Sequence, residues 1–248
     1  MKCAYSTNVG VKRKKNQDAY LAATIKNKGE HYYMFAVADG LGGHLSGEIA
    51  SNMTIEYIKK NITAIHDYSN YKEMNAMVND INQCLLKIGR EKETCKGMAT
   101  TLTLCIVNHK KIVVVHVGDS RAYRINDLGL EQLTKDHSLV QVLLDEGKLT
   151  SAEALNHPQK NIITRAIGSD EVVQTSLYSY DIQPNDIFLI CSDGLYNMVD
   201  EPEIYQIIQE KSLEEAAKIL INRANENGGN DNITVVLFKP EEEENHTI

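Results

Sequence analysis

Two apolar, β-type runs at residues 101–107 and 112–117 are separated by little more than Asn108-His109-Lys110. That gap is too short for a crossover helix, so the two strands must pair antiparallel as a hairpin. This one spacing excludes a purely parallel sheet. Similar runs at 33–38, 187–191 and 233–238 read as further strands. In Thr101-Leu102-Thr103-Leu104-Cys105-Ile106 larger apolar residues alternate with smaller or polar ones, which predicts a sheet with one face buried more deeply than the other. Helical spacing appears in Ile55, Ile58, Ile62 and Ile65, in Met74, Val78, Ile81, Leu85 and Ile88, and in Leu213, Ala217, Leu220 and Ala224. Three amphipathic helices grouped after strands favour an α+β layering.

The chain has 248 residues, 42% of them hydrophobic, enough to bury one full core. No linker-like stretch or fixed-period repeat interrupts it, so one domain is expected over residues 1–240, followed by an acidic tail at 241–248 that contains Glu241-Glu242-Glu243-Glu244. The longest apolar runs are strand-length, and the opening residues lack a secretory apolar stretch; the expectation is a soluble, cytoplasmic protein with no membrane partner. Five cysteines, odd in number and never in a Cys-x-x-Cys pair, argue against a disulfide framework or a zinc site. A formal charge of -8 disfavours nucleic acid as a partner.

Four aspartates share a setting. Asp39 follows Ala36-Val37-Ala38, Asp119 follows Val117-Gly118, Asp193 follows Cys191-Ser192, and Asp231 stands two residues before Ile233-Thr234-Val235. Three end a strand and one begins a strand, so antiparallel neighbours bring them to a single sheet edge. Glycines accompany each: Gly40, Gly42 and Gly43, Gly118, Gly194, and Gly228-Gly229. Any one such site reads equally as an ordinary Asp-Gly turn; four together point to a common site. Converging carboxylates repel unless positive charge sits among them, and only Arg121 is a nearby basic residue in the sequence. An all-oxygen set suits Mg²⁺ or Mn²⁺, and two such ions roughly 3.5–4 Å apart can share a water of lowered pKa, a nucleophile fit for phosphoester hydrolysis.

Asp39-Gly40-Leu41-Gly42-Gly43-His44, Gly118-Asp119-Ser120-Arg121, Ser192-Asp193-Gly194 and Gly229-Asn230-Asp231-Asn232-Ile233-Thr234 resemble, in order and separation, the motifs of the PPM family, the type 2C metal-dependent protein phosphatases, and most closely its bacterial branch. The likeness runs from about Tyr5 to Phe238. It implies a β-sandwich with helices on both faces, in four layers αββα, and a dinuclear site at one edge. By the resemblance Asp39 bridges both ions, the Gly40 carbonyl binds one, Asp193 and Asp231 complete the other, and Asp119 with Asp193 forms a weaker third position. Within the basic run Lys12-Arg13-Lys14-Lys15, which read alone is solvated surface, the family spacing makes Arg13 the residue that grips the substrate phosphate and places Asp18 behind the metals. Residues of about 136–170 resemble the family's flap.

Two departures stand out. Gln17 replaces the more usual Glu, and Leu41 replaces a His proposed as general acid in many eukaryotic members, which leaves a metal-bound water or His44 to protonate the leaving oxygen. The implied activity is hydrolysis of phosphoserine and phosphothreonine in protein substrates, by a monomer, opposite a cognate serine/threonine kinase. Two other readings are a catalytically silent phosphoprotein-binding module, disfavoured by the intact aspartate set, and a two-metal nuclease, disfavoured by the acidic charge.

Overall fold

The computed structural model describes residues 1–42, 46–155 and 157–241. Strands and helices are numbered in chain order. One antiparallel sheet runs β1 (Lys2–Asn8), β11 (Ile233–Lys239), β10 (Ile187–Cys191), β7 (Arg121–Asn126), β8 (Gly129–Gln132). The second runs β2 (Asp18–Asn27), β3 (Glu30–Leu41), β5 (Leu102–Val107), β6 (Lys111–Val117), β9 (Ser176–Asp181), with the short β4 (Ala99–Thr100) on the end of β3. Every pairing described is antiparallel, including the β5–β6 hairpin that the short gap requires, with Val107 opposite Ile112.

The helices are α1 (Ser46–Asn61), α2 (Tyr71–Glu91), α3 (Leu139–Asp145), α4 (Ser151–Leu155), the single turn α5 (Asp193–Tyr196), α6 (Glu201–Glu210) and α7 (Leu213–Glu226). Ile55 and Ile58 of α1 and Met74, Val78, Ile81 and Leu85 of α2 pack on Met34, Ala36, Leu102 and Leu104 of the second sheet. Ile204 and Ile208 of α6 and Ala217, Leu220 and Ile221 of α7 cover Tyr123, Leu189, Val235 and Leu237 of the first. A third cluster lies between the sheets and centres on Phe238, stacked on Phe35 at 4.1 Å and Phe188 at 5.3 Å between ring centroids. The order is helices, sheet, sheet, helices: the α+β, four-layer sandwich.

The alternation in β5 has a different origin from the one expected. Both of its faces are fully buried: Leu102, Leu104 and Ile106 meet the helices, while Cys105 and Val107 meet the other sheet. The smaller residues face the sheet-to-sheet interface, where bulk comes from phenylalanines of neighbouring strands. The first predicted helix also ends earlier than its spacing implies, since Ile62 belongs to a 3₁₀ turn and Ile65 lies outside it. Capping explains the sharper boundaries elsewhere: the Asn70 side chain accepts from the first-turn amides of α2, and Ser212 with Glu215 forms a capping box at α7.

Because Phe238 is wholly buried and joins both aromatic stacks, Phe238→Ala should lower unfolding stability by about 3–5 kcal/mol. Denaturant titration checks this as a shifted midpoint with an unchanged slope.

Candidate active site

The β2–β3 register sets Asp18 directly opposite Asp39. Asp39 lies near the end of β3, and its backbone is fixed from the neighbouring strand: its N–H donates to Thr101 Oγ1 (2.9 Å), and its carbonyl accepts from Thr101 N–H (2.9 Å) and Thr100 Oγ1 (2.8 Å). At Gly40 an added Cβ would lie 2.2 Å from the Gly47 carbonyl oxygen, so only glycine lets α1 approach the strand this closely. Asp193 opens α5; at the next residue a Cβ on Gly194 would stand 2.0 Å from the Asn232 carbonyl oxygen, which presses Asp193 against the loop that carries Asp231. Asp119 is buried just beyond β6, and its carbonyl accepts from the Tyr196 hydroxyl at 3.1 Å.

The acids therefore do not share the edge of one sheet, as strand ends alone implied. Asp18, Asp39 and Asp119 come from the second sheet, whereas Asp193 and Asp231 come from the first. They meet where the edges of both sheets adjoin.

Burial is the main cause that raises the Asp39 carboxyl well above the ordinary range, followed by the charges of Asp18, Asp193, Asp119 and Asp231. Asp193 is raised for the same reasons, burial first and then Asp119 and Asp231. Burial also pushes Asp18 up to about 6, against the pull of hydrogen bonds from Thr234 and Ser192, whose hydroxyls both donate to Asp18 Oδ2 at 2.7 Å. Asp119 is likewise pushed up to about 6 by burial and by Asp136.

The basic residue nearest in sequence offsets only part of the rise at Asp119. Arg121 turns to Asp136, donating from Nε to both carboxylate oxygens at 3.1 Å and from Nη2 to Oδ2 at 2.8 Å, and its guanidinium lies 3.8 Å over the Tyr196 ring. The positive charge that does arrive is Arg13, whose Nη2 donates to Asp231 Oδ2 at 2.7 Å. Both partners of that pair are substantially exposed, so it contributes only about 0–1 kcal/mol and is readily exchanged for another anion.

Three supporting residues had no role assigned from sequence. Ser192 and Thr234 hold Asp18. Asn232 accepts from Gln17 N–H (2.8 Å), donates from Nδ2 to the Val9 and Lys15 carbonyls (both 2.9 Å), and donates its own N–H to Asp231 Oδ1 (2.8 Å). It ties the basic loop to the strand that follows Asp231. All three lie within the aspartate motifs, but Asp18, the partner of Ser192 and Thr234, and Gln17, a partner of Asn232, are more than 170 residues away in the chain. Gly43 and His44 lie outside the described residues, as does the tail beyond Glu241.

Residues 11–237 match the family model of protein phosphatase 2C. The chain belongs to the protein phosphatase 2C family. Among curated relatives of this phosphatase, the serine/threonine phosphatase stp of Listeria welshimeri is 37% identical over 244 residues, covering 96% of each chain. Among solved structures, serine/threonine phosphatase Stp1 from Staphylococcus aureus is similar with a TM-score of 0.89 at 34% identity, over 97% of this chain and 95% of that one. The catalytic domain of serine threonine protein phosphatase PstP, solved in complex with two manganese ions, is similar with a TM-score of 0.82 at 32% identity, over 95% and 96% of the two chains.

Among the described residues no three His, Cys, Asp or Glu side chains already stand in a cage around one point. What the phosphatase offers a cation is donor chemistry and uncompensated charge. Asp18 Oδ1 and Asp193 Oδ1 are buried without a hydrogen-bond partner, and the surrounding set consists of hard oxygen donors. These residues fit a hard divalent ion.

The raised carboxyls set a pH dependence. Groups that keep their protons longer in the folded chain make the native state bind more protons than the unfolded one, so stability falls as pH rises through that window. For Asp18 and Asp119 the window runs from about 3.8 to about 6. Metal-free protein should lose thermal stability across it, Asp39→Asn should make the decline shallower, and saturating Mg²⁺ should raise the melting temperature more at neutral pH than at mildly acid pH. Scanning calorimetry across pH checks all three.

Proposed function

We propose that this chain is a metal-dependent phosphatase that hydrolyses phosphoserine and phosphothreonine in protein substrates, with residues 1–240 acting as one catalytic unit and a flap over about 136–170. The observation that carries the reading is the cluster of desolvated aspartates from both sheets at one edge, short of positive charge. Asp39 and the Gly40 carbonyl, with Asp193 and Asp231, would hold two divalent ions, Mn²⁺ or Mg²⁺; Asp119 with Asp193 would hold a weaker third. When bound, such ions lower the pKa of water and stabilise negative charge on the transferring phosphoryl group.

The protein's own residues do the rest. Ser192 and Thr234 fix one oxygen of Asp18 and leave Oδ1 free to face the ion site. Asn232 holds the loop that carries Arg13 against Asp231. The weak, exposed Arg13–Asp231 pair lets the guanidinium leave that carboxylate for two phosphate oxygens, orienting the ester for attack from the acidic side. Leu41 has no proton to give, which leaves water or His44 to protonate the leaving oxygen. Relatives named serine/threonine phosphatases support the substrate class. A serine/threonine kinase as the opposing enzyme, a monomeric state and a cytoplasmic site of action complete the reading. Among the described residues no helix is long and apolar enough to cross a membrane.

Purified protein with Mn²⁺ should hydrolyse p-nitrophenyl phosphate and a phosphothreonine peptide, and EDTA should abolish both activities. Asp39→Ala and Asp231→Ala should each lower kcat by roughly two orders of magnitude or more, while Arg13→Ala should act mainly on KM, raising it about tenfold. Turnover that persists after metal removal overturns the reading.

A further inference from the structure

Beside the acidic edge, at the root of the flap, lies a second polar cavity of about 240 Å³, lined among others by Lys135, His137, Thr164, Arg165, Ser176 and Tyr178. It shares a wall with the acidic cluster: His137 N–H donates to the Gly118 carbonyl at 2.7 Å, immediately before Asp119. The charges that line it are matched except for one. Lys135 Nζ is 2.7 Å from Asp145 Oδ1, and Asp136 is taken by Arg121 and by Gln132. Arg165 has no carboxylate within ion-pair distance among the described residues; its recorded polar neighbour is His137 Nε2, 3.3 Å from Nη1.

That contact is not a hydrogen bond. Gly118 N–H donates to His137 Nδ1 at 3.1 Å, so Nδ1 carries the lone pair and the ring proton of the neutral imidazole is on Nε2. Burial, then His116 and Arg165, hold this imidazole down to about 3, so it is neutral at physiological pH. Nε2–H donates instead to Ser176 Oγ at 2.9 Å. The Arg165 guanidinium, a donor only, therefore faces another N–H. The Ser176 hydroxyl, having accepted from His137, has its own proton to give. A half-buried guanidinium and a free hydroxyl proton converge on one cavity whose two carboxylates, Asp136 and Asp145, are already held by Arg121 and Lys135.

We infer that this cavity is a second anion site, in which Arg165 and Ser176 bind an oxyanion carried by the substrate protein on a side chain flanking the phosphoresidue that is hydrolysed. The inference rests on the phosphatase reading and narrows it to substrates with acidic or multiply phosphorylated segments. A planar guanidinium accepts carboxylate and phosphate by the same fork geometry, so the source of the oxyanion is Asp or Glu on the one hand and a neighbouring phosphoresidue on the other.

The test uses the full chain loaded with Mn²⁺ and phosphothreonine peptides that are identical except for neutral, glutamate or phosphoserine flanks. Wild type should favour an anionic flank by about tenfold or more in kcat/KM, expressed in KM. Arg165→Ala should shrink that preference to within about twofold, and Arg165→Lys should keep part of it. Preference for both flanks supports the shared oxyanion chemistry; preference for phosphoserine alone assigns the site to phosphate, and for glutamate alone to carboxylate. Should Arg165→Ala fail to fold, the wild-type comparison and Arg165→Lys still decide, and fluorescence anisotropy of a labelled, unphosphorylated glutamate peptide gives a readout that needs no turnover. Equal rates on all three peptides by wild type, or a preference that survives Arg165→Ala, overturns the inference. Failure to hydrolyse p-nitrophenyl phosphate would instead strike the phosphatase reading itself.

Discussion

Aspartates rooted in two different sheets repel one another at the edge where those sheets meet, and the aromatic contact between the sheets keeps them from drawing apart. Phe238 stacks on Phe35 and Phe188 in the layer directly behind β3, β10 and β11. A one-residue slip of β3 or β11 in its pairing register would turn its inner face outward and expose the stack, so the hydrophobic register and the position of the charges are the same constraint. The fold does mechanical work for the site: it holds together groups that electrostatics alone would separate, and the raised Asp39 and Asp193 carboxyls record that opposition.

The arrangement also assigns different tasks to arginines that look alike in sequence. Arg121 is locked into a multidentate contact with Asp136 beneath Tyr196 and serves the framework. Arg13 sits at the surface on a single carboxylate oxygen and is free to exchange. Arg165, between α4 and β9, meets a neutral imidazole edge-on. Degree of burial and the number of acceptors, rather than charge, separate structural arginine from arginine available to a ligand.

The parts of the protein legible in the sequence were those written locally. The β5–β6 hairpin follows from the few residues around Asn108-His109-Lys110, and α2 and α7 from long, regular apolar spacing. Asp39, Asp119, Asp193 and Asp231 stood out because each has a glycine within two residues at the boundary of an apolar run. Strand β2 (Asp18–Asn27) did not, since Ala22, Ala23 and Lys26 dilute its alternation, and the edge strand β9 (Ser176–Asp181) is too polar to announce itself. Helix α6 is only 10 residues long and starts with a proline in its first turn. Long-range bonds were invisible for a simpler reason: the hold of Ser192 and Thr234 on Asp18 spans most of the chain, and no local pattern encodes it. Nor could strand ends alone reveal that the acids belong to two sheets.

Asn232 uses both ends of its amide at once, the oxygen toward Gln17 N–H and the nitrogen toward two carbonyls. An aspartate there would have almost the same shape, yet it would turn two donated bonds into oxygen-against-oxygen contacts and set one more negative group beside Asp231. A single atom at this position separates a brace from a wedge, which makes the chemistry of one side-chain terminus, rather than its volume, the quantity that the acidic edge can least tolerate changing.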